Sequence, residues 1–343
     1  MPFIALPRFE MRRFVVPILL GLTLTVAHAV SARAETARVA LQFGIGYLPL
    51  SVMQARGLWE KQAKAAGIDL TVTWQNLGNG SALNDAILTG SADIVAGGVA
   101  PMLKLWDKTR GNLKVRGIAA LNTVPIQLIA NRADIRTIAD FKPNDRIALA
   151  IPKVSLQAVV LEMAAEKMWG PSAYDRLDSQ TVAMKHPDAV VALVSPYSPI
   201  GAYLGSAPYQ EMALEHPGIH VVFNSDEVIG GPSTFSAAWC TTAFREKNPK
   251  LYAAFVAALN EAMAAIPADQ QRAVDDFIHV SDTSPKERPL LLSIVREPNN
   301  IYTTVPRATM VYAAFLARIG SLSVRPASWK DYFFEPLTNG EGG

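Results

Sequence analysis

Apolar residues in the first third of the chain recur in two alternating spacings. Val39-Ala-Leu-Gln-Phe43, Leu70-Thr-Val-Thr-Trp74, Asp93-Ile-Val-Ala96 and residues 113–121 are short apolar or β-branched runs, the pattern of strands. Residues 49–66, 81–88 and 101–108 between them repeat apolar positions at helical spacing. The alternation predicts a parallel α/β sheet whose ligand loops lie beyond the carboxyl ends of the strands. Near Asn122-Thr-Val-Pro125 the pattern changes. Residues 126–130 and 147–150 read as strands of a second sheet, joined by the loop Asp140-Phe-Lys-Pro-Asn144. A helix at 156–168, an apolar element at 189–194 and a strand at 220–223 follow. Residues 235–240 read as a strand returning to the first sheet, so two crossings define two lobes and a cleft. The last third is chiefly helical: Leu251, Phe255, Leu259, Ala262 and Ile266 recur between Pro249 and Pro267, and 268–277 and 307–319 predict further helices.

Composition narrows this picture. The chain has 343 residues, half of them hydrophobic and 18% charged, which fits about two globular domains and excludes a disordered or collagenous chain. Arg12 and Arg13 precede a mostly apolar run from Phe14 to Ala27, and Ala32-Arg33-Ala34 offers small residues for cleavage, so residues 1–34 read as an export signal. Pro17, Gly21, Thr23 and Thr25 interrupt a run already shorter than the roughly 20 residues of a membrane span. Of the net charge of +2, the first 34 residues carry +3 (Arg8, Arg12, Arg13 and Arg33 against Glu10), leaving −1 for the remainder. A nearly neutral mature chain has no electrostatic footprint for nucleic acid. Cys240 is the single cysteine, so no internal disulfide forms, and with none near the cleavage point no lipid anchor is expected.

Candidate chemistry lies in loops that follow strands. Gly44-Ile-Gly-Tyr-Leu-Pro-Leu50 combines turn-permitting glycines with Pro49 at a helix start, where free N–H groups can receive an anion or a carbonyl and Tyr47 adds a flat wall. Gly78-Asn-Gly-Ser81 repeats the device, with Asn79 and Gly80 as candidate ligand groups, and Gly97-Gly-Val-Ala-Pro101 repeats it again. On the second lobe, Pro152-Lys-Val-Ser-Leu-Gln157 offers Ser155 as a cap and Lys153 or Gln157 as contacts. Gly201-Ala-Tyr-Leu-Gly-Ser-Ala-Pro208, with Tyr203 and Ser206, and Ile229-Gly-Gly-Pro-Ser-Thr234 are expected to close over the cleft. Each of these turns also has an ordinary structural reading as a capped connection. The sequence contains no G-x-S-x-G, H-E-x-x-H or phosphate-binding P-loop pattern. His186, His216, His220 and His279, the histidines beyond the signal, have no metal-site spacing, and no metal or cofactor is expected.

The ordered motifs G-Y-L-P at Gly46, G-L-W-E at Gly57, L-T-G-S-A-D-I at Leu88, G-x-x-P at Gly98 and P-I-Q-L-I-A-N at Pro125 resemble the periplasmic solute-binding proteins of the nitrate, sulfonate and taurine ABC transporter class. H-P-D-A at His186, I-G-A-Y-L-G-S-A-P-Y-Q at Ile200, G-G-P-S-T-F at Gly230 and A-F-R-E-K-N-P at Ala243 continue the resemblance along the mature chain. It implies an α/β, two-lobed type II periplasmic binding fold with two hinge crossings: lobe I from 35–123 and 235–343, lobe II from 124–234. It also implies a periplasmic, monomeric receptor that performs no chemistry. Such a receptor passes a small solute to an inner-membrane permease with a cytoplasmic ATPase behind it. The family's ligand loops fall on Gly46, Tyr47, Asn79, Gly80, Val99, Ala100, Ser155 and Gln157, with Tyr203, Ser206 and Gly231 as further carry-overs. No arginine stands in these loops, so a small heterocycle near Tyr47 remains open beside a sulfonate or a nitrate-like anion. An enzyme on the same scaffold, related to pyrimidine-precursor synthesis, and a solute-sensing receptor domain are the alternatives.

Overall fold

The computed structural model describes residues 1–3, 34–335 and 342–343. The expected export signal falls almost entirely outside the described residues. In the first lobe the chain runs β1 (Glu35–Leu41), α1 (Leu48–Ala55), α2 (Leu58–Ala65), β2 (Leu70–Asn76), α3 (Gly80–Leu88), β3 (Ile94–Gly98), α4 (Val99–Thr109) and β4 (Val115–Asn122). The second lobe holds β5 (Gln127–Ala130), β6 (Arg146–Leu149), α5 (Leu156–Trp169), β7 (Thr181–Ala183), α6 (His186–Val194), β8 (Ile200–Leu204), α7 (Tyr209–Leu214), β9 (His220–Asn224) and α8 (Ser225–Ile229). The chain then returns through β10 (Ser236–Thr241) to α9 (Thr242–Lys247), α10 (Pro249–Ala268), α11 (Gln270–Val280), α12 (Arg288–Arg296) and α13 (Thr309–Arg318).

The strands form two five-stranded sheets, β2-β1-β3-β10-β4 and β7-β6-β8-β5-β9. In the first, β1 is parallel to β2 and β3, whereas the returning β10 runs antiparallel between β3 and β4. In the second, β6 is parallel to β7 and β8, and β5 is antiparallel to β8 and β9. Both sheets are therefore mixed, not parallel throughout, because the crossing strands enter each sheet from the opposite end. The central strands β3 and β8 are buried along their whole length, which explains their continuous apolar runs. Helix α10 covers the first sheet with the stripe Leu251, Phe255, Leu259, Ala262 and Ile266, and Phe255 meets Trp59 of α2 edge-on at 4.9 Å. That helix is long and apolar enough to cross a membrane, but its stripe belongs to the core.

Two expectations change. The single helix at 49–66 is two helices, since Gly57 adopts φ +57 between α1 and α2 and redirects the chain. The Gly201–Pro208 stretch, expected to close over the cleft as a loop, starts as β8, a central strand that buries Tyr203 completely. Strand β7 and helices α7, α8, α9 and α12 have no counterpart among the elements expected from the sequence.

The crossings are the segments between β4 and β5 and between α8 and β10. Asn122, fully buried at the first, binds them together: its amide nitrogen donates to the Gly46 carbonyl and to Ser236 Oγ, each at 2.6 Å, and its Oδ1 accepts from the Val124 N–H at 2.9 Å. The Phe235 N–H donates to the Asn122 carbonyl at 3.1 Å, so the two crossings run side by side.

Candidate ligand-binding cleft

Helix starts face one another across the cleft. From the first lobe come Gln42 and Phe43 after β1, Tyr47 at the head of α1, Gly80 opening α3, and Gly98 and Pro101 at the start of α4. From the second come Ser155, Leu156 and Gln157 at the start of α5, and His186 at the start of α6, with Phe235 of the second crossing behind them. Together they enclose an inner cavity of about 10 Å³, the space of one water-sized group. Gln42, Phe43 and Tyr47 also wall an outer chamber of about 470 Å³, completed by Asn76, Tyr209 and Met212, by Phe277 at the end of α11, and by residues 281–284 and 287.

The expected contacts divide by position. Tyr47, Gly80, Ser155 and Gln157 line the inner cavity, and Gly46, Asn79, Val99, Ala100, Tyr203, Ser206 and Gly231 do not. The Gly46 carbonyl is taken by the hinge residue Asn122. Asn79 caps α3, its Oδ1 accepting from the Ala82 N–H at 2.9 Å. The Val99 N–H donates to the Phe235 carbonyl at 3.1 Å, and both Val99 and Ala100 are wholly buried in the core. The N–H of Gly231, at φ +146 in the second crossing, donates back to the Asp226 carbonyl of α8. Ser155 is engaged as the cap of α5, accepting from the Ala158 N–H at 3.2 Å and donating to the Ile151 carbonyl at 2.8 Å. Lys153 turns its ammonium to Asp178 at 3.5 Å rather than to the cavity.

Tyr203 and Ser206 act one layer back, on a residue the sequence reading passed over. His186 lines the inner cavity, and its Nδ1 shares a 2.5 Å hydrogen bond with the Tyr203 hydroxyl. Its Nε2 faces Ser206 Oγ at 3.4 Å, and its ring stacks on Tyr209 with centroids 5.7 Å apart and planes at 15°. Burial pushes its pKa down to about 4, so the imidazole is neutral at pH 7. With both nitrogens engaged, it presents a fixed flat surface and no free base. Its signal was weak because H-P-D at 186–188 reads as an ordinary helix start, and its partners lie 17 and 20 residues downstream.

The lobes touch on both flanks of the cavity. The Ile45 N–H donates across to the Ala207 carbonyl at 3.1 Å. On the other flank the Lys104 ammonium of α4 donates to the Lys153 carbonyl, Arg318 of α13 pairs with Glu166 of α5 at 2.5 Å, and Phe315 meets Tyr174 edge-on at 6.2 Å. Close approach depends on two residues without side chains. A Cβ on Gly44 would lie 2.8 Å from the Ala207 carbonyl oxygen, and one on Gly98 would lie 3.2 Å from Leu156 Cβ.

Two sheets with a cleft between them, crossed twice, define the type II periplasmic binding fold, and the chain has that fold. It is similar to the periplasmic aliphatic sulphonate binding protein SsuA from Escherichia coli (18% identity, 88% of this chain and 100% of that chain, TM-score 0.64). It is similar too to the alkanesulfonate-binding protein SsuA from Xanthomonas axonopodis pv. citri bound to MOPS (18% identity, 86% and 96%, TM-score 0.66). The periplasmic nitrate-binding protein NrtA from Synechocystis PCC 6803 matches at 13% identity over 88% of this chain and 84% of that chain, with a TM-score of 0.64. No protein-family model and no curated protein matches the sequence.

Proposed function

We propose that this protein is the extracytoplasmic solute-binding component of an ABC importer, which captures a small organic or anionic solute between its lobes and delivers it unchanged to a membrane permease. The observation that carries this reading is the inner cavity itself, built from helix starts of both lobes and a neutral His186 whose ring nitrogens are both occupied. Such walls supply shape and hydrogen bonds to a bound solute. They supply no base or nucleophile: Cys240 is buried and its thiol is pushed up by burial, and no cluster of three metal-ligating side chains occurs among the described residues. The sulphonate-, alkanesulfonate- and nitrate-binding proteins that share this fold support the assignment. Binding energy then favours the closed arrangement, and closure shapes the surface the permease reads. The protein acts outside the cytoplasm, as a monomer.

Native mass spectrometry of the freshly purified mature chain, with small-angle scattering before and after solute removal, tests the reading. A retained small molecule released chemically intact, and a radius of gyration that rises on its removal, are expected. Recovery of a converted product, or an identical radius at verified saturation, would reject it.

A further inference from the structure

The inner cavity is lined by hydrogen-bond donors without acceptors. Gly80 opens α3, and Leu156 and Gln157 open α5, helices of 9 and 14 residues; the backbone N–H groups of all three make no hydrogen bond among the described residues. Gly80 comes close because it has no side chain: a Cβ there would lie 2.8 Å from Pro101 Cγ. The Gln157 carboxamide is also without a partner among the described residues, although the residue is only 4% exposed. Gln42, after β1, adds a second carboxamide. Its Oε1 accepts from the Tyr47 hydroxyl at 3.2 Å, which leaves the amide nitrogen for the cavity. Tyr47 is buried, and burial pushes its hydroxyl pKa up, so it keeps the proton it donates.

Acceptors are scarce on the same walls. Ser155 Oγ already accepts from the Ala158 N–H, the Pro101 and Phe235 carbonyls accept from Asn84 and Val99, and the His186 ring nitrogens face Tyr203 and Ser206. A water molecule in this space would need acceptors for both of its hydrogens, and Gln157 Oε1 is the side-chain oxygen left to it. An anion needs donors alone. No Asp, Glu, Lys or Arg lines the cavity, so the field inside it comes from one helix start in each lobe and from the two carboxamides. At about 10 Å³ it admits a single atom and not a whole polyatomic anion.

Given that the cleft is the site of capture, we infer that its inner end binds a monatomic anion of the chloride or bromide type, held by Gln42 and Gly80 of the first lobe and by Leu156 and Gln157 of the second. The ion bridges the lobes and favours their approach before a solute arrives, and one acceptor atom of the solute then takes its place. Uncharged donors only partly offset the cost of burying a full charge, so binding is weak, with half-saturation on the order of 10 mM.

Thermal unfolding of the mature chain, freed of bound solute by dialysis from denaturant, is measured in sodium bromide against sodium gluconate at constant ionic strength. The midpoint is expected to rise saturably with bromide, by roughly 2–4 °C at about 100 mM. Gln42→Leu and Gln157→Leu, which remove one donor from each lobe, are each expected to lose at least about two-thirds of that rise, whatever their own midpoints in gluconate. Crystals grown in bromide are expected to show its anomalous signal in the inner cavity. Equal midpoints in the two salts, a rise that stays linear in bromide, a rise kept by either variant, or an anomalous signal only elsewhere overturns the inference. The receptor reading fails separately: a solute retained intact in native mass spectrometry with no bromide effect removes only the ion, and a converted product with the bromide effect preserved removes only the receptor.

Discussion

The His186 imidazole couples the cleft wall to acid. Its pKa in the fold is about 4, against an ordinary value of 6.5, and burial is the cause. Below pH 6.5 the unfolded chain takes up a proton that the native chain refuses, so stability falls with pH through the window from about 6.5 to about 4 and then levels. A depression of this size corresponds to a loss of about 3 kcal/mol across that window. Urea unfolding at several pH values between 7.5 and 4 is expected to show this slope. His186→Gln is expected to be less stable at pH 7.5, having lost the Tyr203 bond, yet to lose about 3 kcal/mol less on acidification. Parallel pH profiles for the two proteins would show that His186 does not titrate in this way. Legibility at this scale was partial. Tyr47, Gly80, Ser155 and Gln157 could be found because each sits in or beside a helix start with recognisable cap or turn chemistry. His186, Gln42 and Phe235 could not, because a buried imidazole or a cavity-facing phenyl has the same local pattern as a core residue.

Helix α5 joins three layers of the design. Its first turn reaches the cavity, its apolar face with Leu156, Val159, Val160 and Ala164 packs in the core, and Glu166 pairs across the cleft with Arg318. Glu162 lies between, 4% exposed, its Oε2 making no hydrogen bond among the described residues. Burial first, then the charge of Asp178, raises its pKa to about 7, against the pull of Lys104 and Lys153. The sign is opposite to that of His186. Between pH 4.5 and 7 the native chain holds a proton that the unfolded chain releases, so Glu162 costs stability as pH rises through that window. Glu162→Gln keeps the shape and removes the charge. It is expected to stabilise the fold at pH 8 by on the order of 1–2 kcal/mol and to change little at pH 4.5. Chemical unfolding at the two pH values checks it; a loss of stability at pH 8 would mean that the carboxylate is a net contributor through Lys104. As elements, α5 and the strands of the first sheet were readable because they carry long apolar runs or clean periodicity. Strand β8 was not, since Gly201 and the G-S-A-P that follows it have turn chemistry locally, and only burial on both faces makes Ile200–Leu204 a central strand.

At the scale of the molecule, the two crossings, laid side by side and pinned by Asn122, leave the lobes one main freedom, their approach across the cleft. The two-lobed plan was legible from the switch in pattern at 122–125 and the returning strand at 235–240. How closely the lobes meet was not, because that depends on atoms which glycine leaves out. Gly98 gives the cleanest test. Its backbone, at φ −61 and ψ 145, suits any residue, so a substitution there introduces no backbone strain. What a side chain would meet is Leu156 of the opposite lobe, with Cβ at 3.2 Å from Leu156 Cβ. Alanine demands a shift of a few tenths of an ångström, and the two further methyl groups of valine demand more. Because the contact lies between lobes, an outward rotation relieves it without disturbing either core. Gly98→Val is therefore expected to hold the molecule open. Its radius of gyration should stay at the open value when solute is added, and its affinity should fall at least about tenfold, the mark of a closed state that is less populated. Its thermal midpoint without solute should move little. A variant that closes with wild-type affinity would show that Gly98 and Leu156 do not meet in the bound form. A large drop in the midpoint without solute would place the clash inside one lobe instead of between the two.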